Sequence, residues 1–221
     1  MDQSGRTLVI ETASEACSIA LFEGDELLAR DHRVLGRGHA ERLIPMIKAL
    51  PDSGRAETIL TSLGPGSFTG VRIGIATARA LGVAWRAKVR GYPTLALIAA
   101  IALHENTSDL HDVSKGVTVC VNGGHGEWFV QNFGLDGLGQ TDAASCSPHD
   151  AAARGNHRCI AGNRAQELAQ HIADPATLAL SLLPDASHTR FLPDACLTTN
   201  LSPIYGRAPD AKPQAKSELT A

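Results

Sequence analysis

One glycine-rich stretch, residues 64–74, contains the residue types best suited to bind a phosphate group. It follows the apolar run 58–63, which predicts a β-strand, and it leads into a helical pattern at 71–85. Backbone N–H groups at a helix start attract anions, and glycine lets the chain approach a ligand closely. The candidate phosphate contacts are Gly66, Ser67 and Thr69. Because the two hydroxyl side chains could equally cap the helix, the stretch also fits an ordinary strand-to-helix turn.

The predicted helix after this turn carries a stripe of small residues at every fourth position: Gly70, Gly74, Ala78 and Gly82. Such residues share one helix face, and each internal glycine costs about 1 kcal/mol relative to alanine, so we expect something to pack very closely there. Two interpretations are open, since the helix could pack on its own sheet or part of the stripe could be a subunit interface. Beside the stripe, Arg72 and Arg79 are candidate partner contacts, because arginine is enriched at interface hot spots.

The cysteines and histidines do not form a recognisable disulfide or metal pattern. The five cysteines are odd in number and widely spaced, which argues against a disulfide framework. The nine histidines include no His-x-x-x-His pair. One mixed group, Cys146, His149, His157 and Cys159, has a spacing that matches no usual zinc motif. We therefore expect no bound metal, and a metal-dependent peptidase is disfavoured.

Composition allows a substantial core but no strong attraction to nucleic acid. The chain has 221 residues, of which 43% are hydrophobic, enough for one large or two small domains. Its net charge of −3 gives the whole molecule little pull on a phosphate backbone. No apolar run approaches the roughly 20 residues that span a bilayer, and residues 1–6 are too polar for a signal peptide. We expect a cytoplasmic protein with no membrane contact.

The first half of the chain predicts a β-meander followed by alternating helices and strands. The strand patterns lie at 7–13, 17–22, 26–34, 58–63 and 89–92. The helical patterns lie at 39–50, 71–85 and 94–103. This order is typical of an α/β lobe in which helices cover a mixed sheet.

The second half predicts a weaker restart of the same order. A polar, helix-poor stretch at 105–115 predicts a linker. The elements expected after it are a hairpin at 117–121 and 128–133, a short strand at 159–161, helices at 148–153 and 164–172, and one further helix before Asn200. We therefore predict an α/β protein with two domains. They are an N-terminal lobe at 1–104, which carries the glycine-rich turn and the partner-binding helices, and a smaller C-terminal lobe at 105–221 with a flexible tail.

Several segments together resemble the TsaB family, which belongs to the glycoprotease-like and actin-like ATPase superfamily. They are 10–13 (IETA), 17–21 (CSIAL), 39–45 (HAERLIP), 64–74 (GPGSFTGVRIG) and 203–207 (PIYGR). TsaB is the non-catalytic dimerisation subunit of the bacterial machinery that places threonylcarbamoyl on the tRNA adenosine beside the anticodon. The resemblance implies a two-lobed actin-like or Hsp70-like ATPase fold, in which each lobe is a mixed sheet with flanking helices and the second lobe is smaller.

The resemblance also implies partners. TsaB forms a heterodimer with its catalytic paralogue TsaD, and a small ATPase, TsaE, joins them. The complex as a whole is expected to make most of the contacts with tRNA. A homodimer of the isolated chain is a further alternative. TsaD holds a metal through a histidine pair, whose counterparts here are Thr94 and Ile98, and neither can replace an imidazole ligand. This chain is thus expected to need no cofactor, while ATP or ADP and a metal are expected in the partners or at the complex interface.

The resemblance further implies two candidate sites. The partner-binding site comprises Gly70, Arg72, Gly74, Ala78, Arg79 and Gly82. A vestigial nucleotide site comprises Glu11, Thr12, Gly66, Ser67 and Thr69. Glu11 stands where related ATPases carry an aspartate that interacts with the magnesium ion and its water. Alternatively, backbone N–H groups could bind its carboxylate, which would then have a purely structural role. The second lobe has the run 122–125 (NGGH) where the family often has Asp-Ala-Arg. It therefore lacks a carboxylate and a guanidinium that could bind charged groups there.

Three functions follow from these patterns. The first is a non-enzymatic subunit that binds TsaD through the first-lobe helices, including the helix at 94–103, and keeps TsaD active. The second is an ATP-dependent phosphotransferase of the sugar-kinase class, against which the residues at 11 and 122 count. The third, a metal-dependent peptidase, lacks the histidine pair that such chemistry needs.

Overall fold

The computed structural model describes residues 5–105 and 115–206, which form two lobes that are each built on a five-stranded mixed sheet. The predicted linker at 105–115 and the tail beyond residue 206 lie almost wholly outside the described residues. The two-lobed α/β architecture expected from the order of patterns is therefore observed.

The first sheet has β1 at its centre. Its strands are β1 (Arg6–Glu11), β2 (Ala16–Glu23), β3 (Glu26–Val34), β4 (Thr58–Ser62) and β5 (Lys88–Tyr92). They lie in the order β3-β2-β1-β4-β5, with β1, β2 and β3 antiparallel and with β4 and β5 parallel to β1. Both faces of β1 and β2 are covered, which explains why these strands read as nearly continuous apolar runs.

Three helices cover this sheet: α1 (His39–Ala49), α2 (Phe68–Trp85) and α3 (Thr94–Glu105). Helices α1 and α2 pack on one face, where Leu43, Ile47 and Ala78 share a core with Leu8 and Ile10. Helix α3 packs on the other face in a core that also includes residues of the second sheet. It therefore joins the two lobes, which is why it is apolar all round.

The second sheet repeats the strand order of the first around β6. Its strands are β6 (Val117–Gly124), β7 (Glu127–Phe133), β8 (Ala144–Cys146), β9 (Cys159–Ala161) and β10 (Leu178–Leu180), in the order β10-β9-β6-β7-β8. Strands β7 and β8 continue antiparallel from β6, whereas β9 and β10 run parallel to it. Helices α4 (Pro148–Ala152) and α5 (Ala165–Ile172) lie against this sheet.

Two predictions about the second half were wrong. Strands β8 and β10 were missed, because three residues are too few for a period-two pattern. The α-helix predicted before Asn200 is absent from the described residues. That region instead contains β10 and two 3₁₀ helices, Ala186–Phe191 and Asp194–Cys196.

The last described segment returns to the first lobe. Thr198 forms a β-bridge with Gly91, and the Ile204 N–H donates to the Leu63 carbonyl at 2.7 Å. Residues 204–206 consequently end beside the glycine-rich turn.

Candidate functional site

The candidate site is a cleft of about 780 Å³ between the two lobes. From the first lobe it is lined by residues 13–15 after β1, by 65–68 after β4 and by the first turn of α3 after β5. From the second lobe it is lined by the end of β6 and by residues that follow β9 and β10. The cleft thus lies outside the carboxyl ends of the parallel strands of both sheets, where open α/β sheets bind their ligands.

The glycine-rich turn forms one wall of this cleft. Gly66 crosses the chain after β1 so closely that a side chain there would clash with the Ala13 carbonyl, and the Ser67 N–H donates to that carbonyl at 2.7 Å. The Ser67 hydroxyl accepts from the Gly70 N–H at 3.2 Å and so caps α2. Gly66 and Ser67, two of the predicted nucleotide contacts, both line the cleft, although the Ser67 hydroxyl is occupied by capping.

Glu11, predicted to belong to a vestigial nucleotide site, is fully buried behind the cleft and does not line it. One carboxylate oxygen accepts from the Ala13 N–H at 2.8 Å, and the other accepts from the Tyr92 hydroxyl at 3.2 Å. Burial raises the pKa of this carboxyl to about 7, an effect that these hydrogen bonds only partly offset. The structure therefore corrects the ligand-contact prediction for Glu11 in favour of the structural interpretation.

Two other predicted nucleotide contacts are also corrected. Thr12 is fully buried, and its hydroxyl donates to the Gly70 carbonyl at 2.8 Å. Thr69 is exposed on the first turn of α2 and is not among the residues that line the cleft. Of the five residues predicted for this site, only Gly66 and Ser67 face the cleft.

The small-residue stripe of α2 faces its own lobe. Gly70, Gly74, Ala78 and Gly82 are all buried. A side chain at Gly70 would clash with the Thr12 carbonyl, and one at Gly74 would come within 2.5 Å of the Thr12 hydroxyl oxygen. At Gly82 it would clash with Val89. These four residues cannot contact a partner, so the subunit-interface interpretation of the stripe was wrong.

The opposite face of α2 is exposed. It carries Arg72 and Arg79, the two remaining predicted partner contacts, together with Ala76, Ala80 and Val83. Val83 has 83% of its surface exposed, which is unusual for a valine in a helix. This face, and not the stripe, is the part of α2 available to another molecule.

Arg72 is held at the rim of the cleft by two aromatic side chains. Its guanidinium carbon lies 3.6 Å from the centroid of the Phe68 ring, and its Nη2 donates to the Tyr205 hydroxyl at 2.9 Å. The two rings are 5.8 Å apart. Among the described residues, Arg72 forms no ion pair with a carboxylate. Phe68 and Tyr205 lie in segments that the sequence singled out, but the contact between them is visible only in the fold.

One end of the cleft is closed by hydrogen bonds that cross between the lobes. The Asn163 side-chain amide, which follows β9, donates to both carboxylate oxygens of Glu15 at 2.9 Å. The Asn163 side-chain oxygen accepts from the Asn122 N–H at 2.9 Å. Neither Glu15 nor Asn163 was predicted, because nothing in their local sequence distinguishes them from ordinary turn residues.

The floor of the cleft includes the start of α3. Thr94 and Ile98 lie one helical turn apart and both line the cleft. Among the described residues, the buried Thr94 hydroxyl has no hydrogen-bond partner. Residues 94–102 are all buried, and only Thr94 and Ile98 among them touch the cleft. The prediction that α3 contributes to a partner interface was therefore wrong.

The described residues contain neither a candidate metal cluster nor a candidate membrane span. Residues 5–105 and 115–206 contain no group of three or more histidine, cysteine or acidic side chains that could hold a metal ion. Over the same ranges, no helix is both long and apolar enough to cross a bilayer.

Two sheets of matching strand order, joined by a shared helix across a cleft at their carboxyl ends, define a two-lobed α/β protein of the actin-like class. A solved structure of YeaZ from Pseudomonas aeruginosa is similar over the whole fold. Its TM-score is 0.73 at 25% identity, and the match covers 90% of this chain and 99% of that one.

The chain belongs to the family described as TsaD: tRNA N6-adenosine threonylcarbamoyltransferase, whose model matches residues 33–187. Two relatives are named as the tRNA threonylcarbamoyladenosine biosynthesis protein TsaB. The one from Escherichia coli is 40% identical over 106 residues, which is 46% of each chain. The one from Bacillus subtilis is 30% identical over 116 residues, 49% of this chain and 51% of the other. The chain matches about half the length of these relatives, and the predicted resemblance to the TsaB proteins is confirmed.

Proposed function

We propose that this chain is a non-catalytic cytoplasmic subunit for threonylcarbamoyladenosine formation at the tRNA adenosine next to the anticodon, and that it binds and activates TsaD. The names of the curated relatives support the pathway. The exposed face of α2 is the structural observation that carries the proposal.

This face combines apolar surface with positive charge. Ala76, Ala80 and Val83 are exposed on the same side of α2 as Arg72 and Arg79, and the whole helix contains no acidic residue. Small side chains allow another helix to approach closely, and arginine often contributes most at an interface centre. The neighbouring helix α1 adds Ile44, which is 40% exposed. The combination fits a partner helix with an apolar stripe flanked by carboxylates.

We assign this α1–α2 face to TsaD in the complex. In the isolated chain the same face would be free to pair with a second copy, so a homodimer would compete with the heterodimer. TsaE and tRNA would join through the assembled complex, since the net charge of −3 gives this chain little attraction for RNA by itself.

The residues of the cleft support a non-catalytic role. The resemblance implies that Thr94 and Ile98 stand where TsaD has its metal-binding histidine pair, and their hydroxyl and alkyl groups are poor metal ligands. Among the described residues that line the cleft, Glu15 is the one carboxylate, and Asn163 occupies both of its oxygens. ATP or ADP and the metal are therefore assigned to the partners or to the complex interface.

The test pairs two exposed valines. We expect Val83→Asp to weaken the affinity for cognate TsaD at least tenfold, about 1.4 kcal/mol, because it places a negative charge among the exposed apolar residues of α2. Val34→Asp, on the edge strand of the same lobe and 65% exposed, should leave the affinity unchanged. Light scattering and titration calorimetry measure the complex, and a reconstituted tRNA reaction measures activation. Full activity without this chain, or equal affinity of both variants, would contradict the proposal.

The presence of the cleft supports one alternative function, an ATP-dependent phosphotransferase of the sugar-kinase class. That function requires a carboxylate free to hold magnesium beside the phosphates. It predicts ATP turnover by this chain alone, with loss of turnover in Glu15→Gln. No turnover above a buffer control would remove this alternative.

A further inference from the structure

A group of cations lies at the amino ends of two parallel strands of the second sheet, β6 and β9. These strands begin side by side, with Val117 paired to Cys159. Their carboxyl ends face the cleft, so their amino ends lie on the opposite side of the lobe. The segments that precede them carry Lys115, Arg154 and Arg158, which are all exposed and do not line the cleft. We call these three residues the second-lobe basic surface.

The two segments of this surface are far apart in the sequence but touch in the fold. A Cβ atom at Gly116 would come within 3.1 Å of the His157 Nε2 atom. Burial lowers the pKa of His157, and the nearby charge of Lys115 lowers it further. The His157 ring is therefore mostly uncharged at pH 7, and the positive charge of the surface comes from its lysine and two arginines.

Hydrogen bonds hold the loop 153–158, which carries both arginines, in one conformation. The Asn156 side-chain amide donates to the Ala151 carbonyl at 2.9 Å. The His157 N–H donates to the Thr118 hydroxyl at 2.8 Å and so ties the loop to β6. Because the backbone is already ordered, little of its entropy remains to be lost when the arginines bind a partner.

The charges of the basic surface are not neutralised within the chain. Over residues 5–105 and 115–206, none of its three cations forms an ion pair. The run 151–166 contains no acidic residue. Two carboxylates flank this region of the sequence, and both accept local hydrogen bonds: Asp150 from the Ser147 hydroxyl at 2.8 Å and Asp174 from the Ala176 N–H at 2.9 Å. The surface thus offers its charge to a negatively charged partner.

The composition of the surface favours a nucleic acid over a protein as that partner. None of the large exposed hydrophobic side chains in the described parts of the chain belongs to it. Protein interfaces usually have an apolar centre, whereas contacts to phosphates need only cations and N–H donors. An acidic protein would therefore find charge here but no apolar anchor.

We propose that the second-lobe basic surface contacts the phosphate backbone of tRNA in the assembled complex. This inference rests on the proposed function, because the names of the curated relatives are what supply tRNA as the nucleic acid. The basic surface lies in the second lobe and the α1–α2 face in the first, so TsaD and tRNA would bind different parts of the chain. Three cations provide a small share of the affinity, and the complex as a whole provides the rest.

The test measures tRNA binding by the complex of the full chain with cognate TsaD. Fluorescence anisotropy of an unmodified tRNA transcript gives the affinity at several salt concentrations. We expect the triple variant Lys115→Gln, Arg154→Gln, Arg158→Gln to bind about fivefold more weakly at 100 mM salt, with a slope of log K against log salt that is smaller by about 2. A tRNA that is not a substrate should show the same loss, because phosphate contacts carry no sequence information.

The matched control is a second triple variant: Arg55→Gln, Lys88→Gln, Arg190→Gln. These residues are also exposed, and none of them forms an ion pair in the described ranges. Both variants remove three positive charges, so a general change in net charge affects them equally. The control should bind tRNA as the wild type does. Circular dichroism and light scattering check that each variant folds and forms the heterodimer.

Two outcomes would overturn this inference alone. One is an intact heterodimer whose tRNA affinity falls equally in the two triple variants or in neither. The other is unchanged tRNA affinity with weaker binding of a protein subunit in the first triple variant, which would assign the surface to a protein. If the wild-type chain formed no heterodimer with TsaD, the proposed function would fail first, and this inference with it.

Discussion

Glu11 is a buried carboxyl with a structural role, at a position where the resemblance to actin-like ATPases implies an aspartate near magnesium. Its two oxygens accept hydrogen bonds from Ala13 and Tyr92, both in the same lobe. Tyr92 is itself fully buried, and burial together with the neighbouring carboxylate raises its pKa. Glu11 and Tyr92 are therefore closed to solvent. Protonation of the Glu11 carboxyl should change the free energy of unfolding more than it changes the affinity for a ligand.

This residue predicts a pH dependence. The pKa of Glu11 is raised from 4.5 to about 7 in the folded state, so the folded protein retains a proton that the unfolded chain loses over this interval. The stabilisation is present below pH 4.5 and is lost as the pH rises through about 7, by an amount of the order of 3 kcal/mol. We expect Glu11→Gln to remove this dependence and to be more stable than the wild type at pH 8.

Urea unfolding of both proteins at pH 5, 6, 7 and 8 measures the effect. The useful quantity is the difference between the two stability profiles, because contributions that are common to both proteins cancel in it. Parallel profiles would show that Glu11 ionises at an ordinary pH.

At the scale of the element, α2 has two faces with different tasks. The small residues let the helix lie directly on the chain that follows β1, and this contact positions the glycine-rich turn at the cleft. The exposed face carries apolar side chains together with two arginines. An exposed apolar patch rimmed by polar residues often marks an interaction site. The spacing of four thus indicates tight packing within the lobe, and the interface that we propose lies on the other side.

Gly70→Ala tests the packing of the stripe. Alanine has the higher helix propensity, yet its methyl group would clash with the Thr12 carbonyl, a backbone atom that cannot easily move. We expect a loss of about 2 kcal/mol in the free energy of unfolding. The control is Ala80→Gly on the exposed face, which should cost about 1 kcal/mol by propensity alone. A Gly70→Ala protein as stable as the wild type in urea unfolding would refute the close contact.

At the scale of the whole molecule, the lobes are joined in two different ways. Helix α3 contributes to a core shared by both sheets, and this apolar contact is extensive. The Glu15–Asn163 hydrogen bonds close one end of the cleft and are few and polar. Opening of the cleft would therefore break the polar contacts before it disturbs the shared core.

Asn163→Ala tests this order. We expect a small loss of stability, about 1 kcal/mol, and faster hydrogen exchange at residues 13–16 and 122–125 on both sides of the cleft. Asn156→Ala is the control, because the Asn156 amide donates to the Ala151 carbonyl within the second lobe. Exchange that rises only within the second lobe in both variants would show that Asn163 does not hold the lobes together.

The sequence by itself determined the first lobe. Apolar periodicity located β1 to β5 and the three long helices, because each is long enough to show its period and is bounded by turn residues. The sequence also singled out the glycine-rich turn as a candidate phosphate contact, and Gly66 and Ser67 of that turn line the cleft.

Only the tertiary structure decided which way these elements face and what lies across from them. The period of four in α2 could not show whether its small face meets a sheet or a partner, because both need close approach. The buried state of Glu11, the Arg72–Phe68–Tyr205 contact and the Glu15–Asn163 bonds join residues that are up to 148 positions apart. Such contacts leave no local pattern, since they depend on how the lobes pack and not on the propensity of any segment.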